Sequence, residues 1–272
     1  MTLIVLHRAA LGALPYGRWL ADAGRDLVLV TEPEAVDLLG GQRGAWAETH
    51  VVPRFAVTAE AERTVLAVAV RRQVSAVVAL HPGDQVRAGS LRSHLGLPGQ
   101  SRDEALVGAD TLRADELLSS AGVPVVRRAA AGRVPDLYRA AHSWGYPLVI
   151  RPLRGAERPV VAELSDEDDL RVFARDGLAT GHPTATAGLT VEPLTAGPRH
   201  HGLGTPATDA ALAVLPGGPG HPLGVAAVRD ERGVWRVDSV RYEGHLGPGR
   251  ERVRAQAGLP AELPHRESME AV

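Results

Sequence analysis

The sequence predicts an α/β fold, with an open parallel sheet in its first third followed by a smaller domain of mixed α+β character. Short apolar runs at residues 3–6, 27–30 and 76–80 read as strands buried on both faces, as in a parallel sheet. Residues 16–23, 59–73 and 85–94 carry apolar side chains at helical spacing between those runs, with Gly24 and Gly96 as stops. After Gly108 the order changes to helix, strand, turn, strand, helix, and then to a hairpin.

Each element has a local cause. The turn-rich Leu97-Pro-Gly-Gln-Ser101 closes the first part. Asp110 is placed to cap a helix running to Ala121, with Gly122 accepting the left-handed conformation after it. Residues 135–144 read as a helix stopped by Gly145, and residues 147–152 as a strand with a buried Leu-Val-Ile centre. Ser165 is placed as the N-cap of a helix over 166–176, whose acidic first turn complements the helix dipole. Beyond residues 189–192 the chain is rich in Gly, Pro and His to about Gly224, which predicts an irregular connection. Residues 225–229 and 234–242, joined across Asp230-Glu-Arg-Gly233, read as an antiparallel hairpin. The last 28 residues show weak periodicity and carry Pro248, Pro260 and Pro264. The expected domains are residues 1–108 and 109–244, with a weakly structured tail over 245–272.

Composition removes several chemistries. The 272 residues are 44% hydrophobic and 23% charged, an ordinary globular balance, and a net charge of −2 provides no global field for nucleic acid or an anionic membrane. No apolar run approaches the roughly 20 residues of a membrane span. Cysteine is absent, so disulfides, thiolate metal sites and a cysteine nucleophile are excluded. Lysine is absent too, and all 30 basic residues are arginine. Schiff-base and amine chemistry therefore has no residue to perform it. The 30 Gly and 20 Pro fit a GC-rich coding bias that exchanges Lys for Arg. The start, Met1-Thr-Leu-Ile-Val-Leu6, reads as a strand without a basic leader or cleavage site, so a mature start here and a cytoplasmic location are expected.

Several segments, in order, carry a resemblance. They are Leu95-Gly-Leu-Pro-Gly-Gln-Ser101, Asp110-Thr-Leu-Arg113, the run LLSSAGVPV over 117–125, Gly145-Tyr-Pro-Leu-Val-Ile-Arg-Pro152, Ser165-Asp-Glu-Asp-Asp-Leu170 and Val191-Glu-Pro-Leu-Thr-Ala-Gly197. Together they resemble the ATP-grasp superfamily, most of all its carboxylate–amine and peptide ligases. The resemblance runs over residues 1–197 and faintly over 198–244. It implies a pre-ATP-grasp-like parallel sheet followed by a reduced ATP-grasp-like α+β domain, with ATP and magnesium as cofactors. In such ligases ATP phosphorylates a carboxylate and an amine displaces the phosphate.

Matched residue by residue, Arg151 stands in the strand where the family has a phosphate-binding lysine, and guanidinium suits phosphate. Glu192 and Leu194 stand in the hinge that seats adenine. Three departures accompany these matches. Thr111 replaces the lysine of the family's Asp-Lys pair. The loop Arg154-Gly-Ala-Glu-Arg-Pro159 has one Gly where a phosphate cradle needs several. Val240 replaces the metal-binding Asn, with Asp238 on the same strand, so no metal site is assigned. Arg199 also stands where the family has an acidic residue for the ribose.

The reading that follows is a degenerate ATP-grasp-like protein, a non-catalytic, accessory or binding component of a biosynthetic ligase system. Its expected partners are a nucleotide or small carboxylate and a partner enzyme or second copy of the chain, with neither nucleic acid nor membrane. Two alternatives stand beside it: an active carboxylate–amine ligase in which Arg replaces the usual Lys, and a non-nucleotide small-molecule binder. Gly12 to Gly17 spaces like a P-loop but lacks its Lys and Ser or Thr, and reads as a covering loop. His81 reads as a turn residue, and the adjacent His200 and His201 as a poor metal pair.

Overall fold

A computed structural model describes residues 1–155, 158–178, 188–194, 200–201, 204–230, 232–243 and 249–261. The chain divides into two compact units, one of residues 1–105 with 217–222 and the segment from Glu243, the other of residues 106–216 with 223–242.

The first unit is built on a parallel sheet. Its strands are β1 (Thr2–His7), β2 (Asp26–Thr31), β3 (Glu48–Val51) and β4 (Val74–Ala79), in the order β3-β2-β1-β4. Every residue of β1 is buried, and its alternation divides the apolar side chains between two cores. Ile4 and Leu6 pack with Val28, Val30, Val77 and Ala79 and with the helices α2 (Glu60–Arg71) and α3 (Gln85–Leu95). Leu3 and Val5 pack on the other side with Tyr16, Leu20, Leu29, Val78, Val253 and Ala257. Both faces are therefore covered, as a parallel sheet requires. β3 is an edge strand; three of the four residues in its Glu-Thr-His-Val are polar and it carries no apolar run, so periodicity does not reveal it. The helix expected over 16–23 is a single turn, α1 (Tyr16–Trp19).

The expected loose tail is corrected over its described part. Gly249–Gln256 form a helix whose Val253 is fully buried in the first unit. Gln256 completes the edge of β4: its side-chain Oε1 accepts from Ala79 N–H at 2.8 Å and its Nε2 donates to Ala79 O at 2.9 Å. Arg254 adds a bidentate pair to Asp22 at 2.6 and 2.9 Å. These tertiary contacts, rather than helical periodicity, hold the segment. Residues 245–248 and 262–272 of the expected tail lie outside the described residues.

α4 (Arg102–Val107) leads into the second unit. α5 (Thr111–Ser120) is capped by Asp110, whose carboxylate accepts from Leu112 and Arg113 N–H, and Gly122 follows at φ 78°. Beyond β5 (Ala129–Ala130), α6 (Val134–Trp144) precedes β6 (Leu148–Pro152) and β7 (Ala162–Leu164). The cap of α7 (Glu167–Asp176) is Asp166 rather than Ser165; its carboxylate takes the N–H groups of Asp168 and Asp169, and Ser165 instead donates its own N–H to Asp169. With β8 (Leu189–Pro193), the strands form an antiparallel sheet of order β5-β8-β6-β7. Leu148, Ile150, Leu189 and Val191 pack on one face with Leu137 and Ala140 of α6 and Leu170 and Phe173 of α7.

β9 (His200–His201) pairs with β10 (Leu223–Arg229), which pairs with β11 (Trp235–Tyr242). Between β9 and β10 lies α8 (Pro206–Val214), where an irregular connection was expected. Its signal is local: Thr205 and Thr208 form a reciprocal capping box, and Pro206 occupies the first turn. Ala207 and Ala211 of α8 are buried with Leu118, Val225, Val237 and Tyr242 in the core of this second sheet.

Candidate functional site

The site is built on the face of the β5-β8-β6-β7 sheet opposite α6 and α7. Alternation decides which residues reach it. Leu148 and Ile150 of β6 and Leu189 and Val191 of β8 fill the helix-side core, so Arg151, Thr190 and Glu192 turn to the other face.

The structure brings Arg151 and Glu192 together as an ion pair. Arg151 Nε lies 2.7 Å from Glu192 Oε1 without the alignment of a hydrogen bond, and Nη1 donates to Arg158 O at 2.6 Å. Glu192 also accepts from Arg128 Nε at 3.1 Å and lies 3.5 Å from Arg158 Nη2. Arg128 continues the network, donating to Asp115 Oδ1 at 3.3 Å and to Asp238 O at 2.7 Å, with Asp238 Oδ1 3.8 Å away. Arg158 donates to Pro152 O and to Thr190 Oγ1. Arg128, Arg151 and Arg158 thus meet Asp115, Glu192 and Asp238, three positive charges against three negative. Arg128 is only 1% exposed and Glu192 5%, so the network lies inside the unit.

Burial leaves its mark on the titrations. Desolvation raises the Asp115 carboxyl to about 6, against the opposing pull of Arg128 and Arg158, and Oδ2 has no hydrogen-bond partner. Desolvation likewise lowers the Arg158 guanidinium. A carboxyl whose folded value exceeds its unfolded value of about 3.9 binds more protons in the folded state between pH 4 and 6. Its contribution therefore favours folding at low pH and is lost as pH rises through about 6. Removing the charge with Asp115→Asn is expected to raise the urea midpoint at pH 7.5, through a gain in unfolding free energy bounded by about 3 kcal/mol. The advantage over wild type should shrink toward zero near pH 4, in urea titrations at several pH values. An advantage independent of pH would contradict the assignment.

The third candidate, Leu194, follows β8 and is 43% exposed. Its backbone N–H, the donor that an adenine would need, donates to Pro147 O at 3.0 Å, and Pro193 beside it has no N–H. Thr111, at the position of the lost lysine, donates its hydroxyl to Leu153 O at 3.1 Å. Arg154, in the shortened loop, pairs with Asp110 at 3.2 Å. Among the described residues no cluster of three His, Asp or Glu is arranged to hold a metal ion. Arg199 and, within the loop, residues 156–157 lie outside the described residues. Sequence reasoning missed Asp115, Arg128 and Arg158. Asp115 and Arg128 sit among similar charges with no motif around them; Arg158 lies in the loop that was read for glycine alone.

Two readings in the first unit are simpler. His81 Nδ1 accepts from Gly83 N–H at 3.1 Å, and Gly17 N–H, at the end of the P-loop-like spacing, is bound by Gln42 Oε1 at 3.0 Å.

No protein-family model and no curated protein matches the chain. Solved structures do. The biotin carboxylase domain of the 2-oxoglutarate carboxylase from Hydrogenobacter thermophilus, in complex with ADP, MgADP and bicarbonate, is similar at a TM-score of 0.67 and 15% identity, over 94% of this chain and 69% of that one. An L-amino acid ligase from Bacillus licheniformis is similar at 0.61 and 16% identity, over 88% of this chain and 66% of that one. A RimK-domain ATP-grasp protein from Sphaerobacter thermophilus is similar at 0.54 and 17% identity, over 94% of this chain and 96% of that one. The chain has the ATP-grasp fold. Likeness at such identities concerns the fold alone, and the chain spans about two thirds of the amino acid ligase's length.

Among the described residues, the groups at the candidate positions are already engaged and offer a magnesium nucleotide no open cation or backbone donor. The guanidinium of Arg151 is taken by Glu192, the N–H of Leu194 by Pro147, and the neighbouring charges cancel.

Proposed function

We propose that the chain is a degenerate ATP-grasp protein that does not turn over ATP and serves as an accessory or binding component of a biosynthetic ligase system. The observation that carries this reading is the Arg151–Glu192 pair inside a neutral network. A nucleotide phosphate competing for Arg151 would leave a buried carboxylate short of a partner, at a penalty of several kcal/mol. Thr111 adds no compensating charge, and its hydroxyl is already committed to Leu153 O.

The test is calorimetric titration with a non-hydrolysable ATP analogue, with and without magnesium, on wild type and Arg151→Ala. The expected result is no binding tighter than about 100 μM in either protein, where micromolar affinity would correspond to about 8 kcal/mol. Magnesium-dependent micromolar binding that Arg151→Ala abolishes, or ADP formation from ATP, would overturn the reading. That outcome would favour the second reading, an active carboxylate–amine ligase using Arg in place of Lys. One observation speaks for it: Arg128, Arg151 and Arg158 converge on one face of the sheet, a concentration of guanidinium suited to phosphate once the carboxylates turn away.

A further inference from the structure

A second concentration of arginine lies in the same unit and plays no part in the network. A cleft of about 370 Å³ is lined by Arg127, Arg229, Arg232 and Arg236, with Asp230 as the one carboxylate among its described lining residues and Trp144 and Tyr146 among its walls. It shares Leu194 with the candidate nucleotide site but none of the charged residues of the Arg151–Glu192 network. Arg127 is exposed to the cleft while its neighbour Arg128 is buried in the network, and Trp144 packs against the α6–α7 side of the sheet. Of the three candidate nucleotide residues only Leu194 also lines it.

The carboxylate is already committed. Asp230 accepts from the N–H groups of Arg232 and Val234 at 3.0 and 2.8 Å, which shape the turn between β10 and β11, and pairs with Arg236 at 2.8 Å. Arg229 donates from Nε to Gly233 O at 2.9 Å, which fixes the root of its guanidinium beside the same turn. Among the described residues no carboxylate pairs with Arg127, Arg229 or Arg232. Among the described residues, three guanidiniums thus face one concave space without a paired carboxylate, beside two aromatic rings. Guanidinium groups recognise phosphate and carboxylate through paired donors, and their cations and the aromatic faces together suit a flat or apolar body. The volume lies in the range of small-molecule sites.

We propose that this cleft binds a small organic polyanion, bearing two or more phosphate or carboxylate groups, independently of whether the chain binds ATP. Asp230 and Arg229 hold the turn in shape, Arg127 and Arg232 supply the charge, and Trp144 and Tyr146 supply the wall.

The probes are pyrophosphate and citrate, titrated by calorimetry at constant ionic strength near 150 mM, where non-specific attraction is screened beyond about 8 Å. Submillimolar binding of one of them is expected, with tryptophan fluorescence quenched in wild type and not in Trp144→Phe. Preference for pyrophosphate or for citrate assigns the ligand to phosphates or polycarboxylates. The double variant Arg127→Ala/Arg232→Ala, at two exposed positions, should weaken binding at least tenfold at an unchanged urea midpoint. Arg171→Ala/Arg175→Ala removes the same charge from exposed positions on α7 and should leave binding intact. Absence of binding by both probes at 10 mM, or equal weakening by the two double variants, would overturn the proposal.

Discussion

Replacing Arg128 with alanine is expected to destabilise the second unit by about 3–5 kcal/mol, the usual consequence of leaving buried charge unpaired. The guanidinium is 1% exposed and is shared among Glu192, Asp115 and the backbone of Asp238. Its loss removes the ion partner of Asp115 and one of three cations around Glu192, together with a donor to the carbonyl of Asp238. Arg171→Ala provides the contrast: its pairs with Glu167 and Asp168 join side chains that are all more than half exposed, and exposed pairs contribute about 0–1 kcal/mol. Urea denaturation followed by hydrogen exchange at β6 and β8 amides separates the two variants. Equal, small effects would mean that water enters the network, and the reading of the candidate site as a buried, neutral network would fall with it.

Ending the chain at Glu243 should have an effect at least as large on the first unit. The missing segment carries Val253 and Ala257, both buried against Leu3, Leu29 and Val78, and Gln256, which satisfies both backbone groups of Ala79. Burying a valine contributes about 1.5–3 kcal/mol, and a buried backbone group left unpaired costs about 1–3 kcal/mol. The sum is on the order of 5 kcal/mol or more, comparable to the whole stability of a typical domain. Proteolysis of the shortened chain should therefore cut within residues 1–105 under conditions where the full chain resists. Val253→Asp in the full-length chain checks the same point without truncation. Resistance equal to wild type in both would show that the helix adds little.

Much of the architecture is readable without coordinates, and the reasons are local. The buried strands of the parallel sheet announce themselves because both their faces are covered, so that apolar residues run consecutively. Asp110 and Gly122 bracket α5 because cap chemistry acts over three or four residues. α8 was equally legible, in Thr205-Pro206 and Thr208, but the surrounding Gly and Pro outweighed it. β3 and the helix Gly249–Gln256 were not legible. The first is a mostly polar edge, and the second owes its order to residues more than 170 positions earlier.

The candidate site divides in the same way. The resemblance of the motifs, in their order, to the ATP-grasp pattern points to Arg151, Glu192 and Leu194. Whether Arg151 is available to a ligand depends on where Glu192, Arg128 and Arg158 end up, and those residues are joined by pairings across 7 to 64 positions of sequence. The sequence by itself determined the class of fold, the absence of lysine and cysteine chemistry, and most element boundaries, all properties of composition or of short-range periodicity. Only the tertiary structure decided that the arginines at the candidate site are already paired and that another group of them lines an open cleft. Charge pairing is a matter of a few ångströms between side chains, and distance in space between remote residues is not written in local pattern.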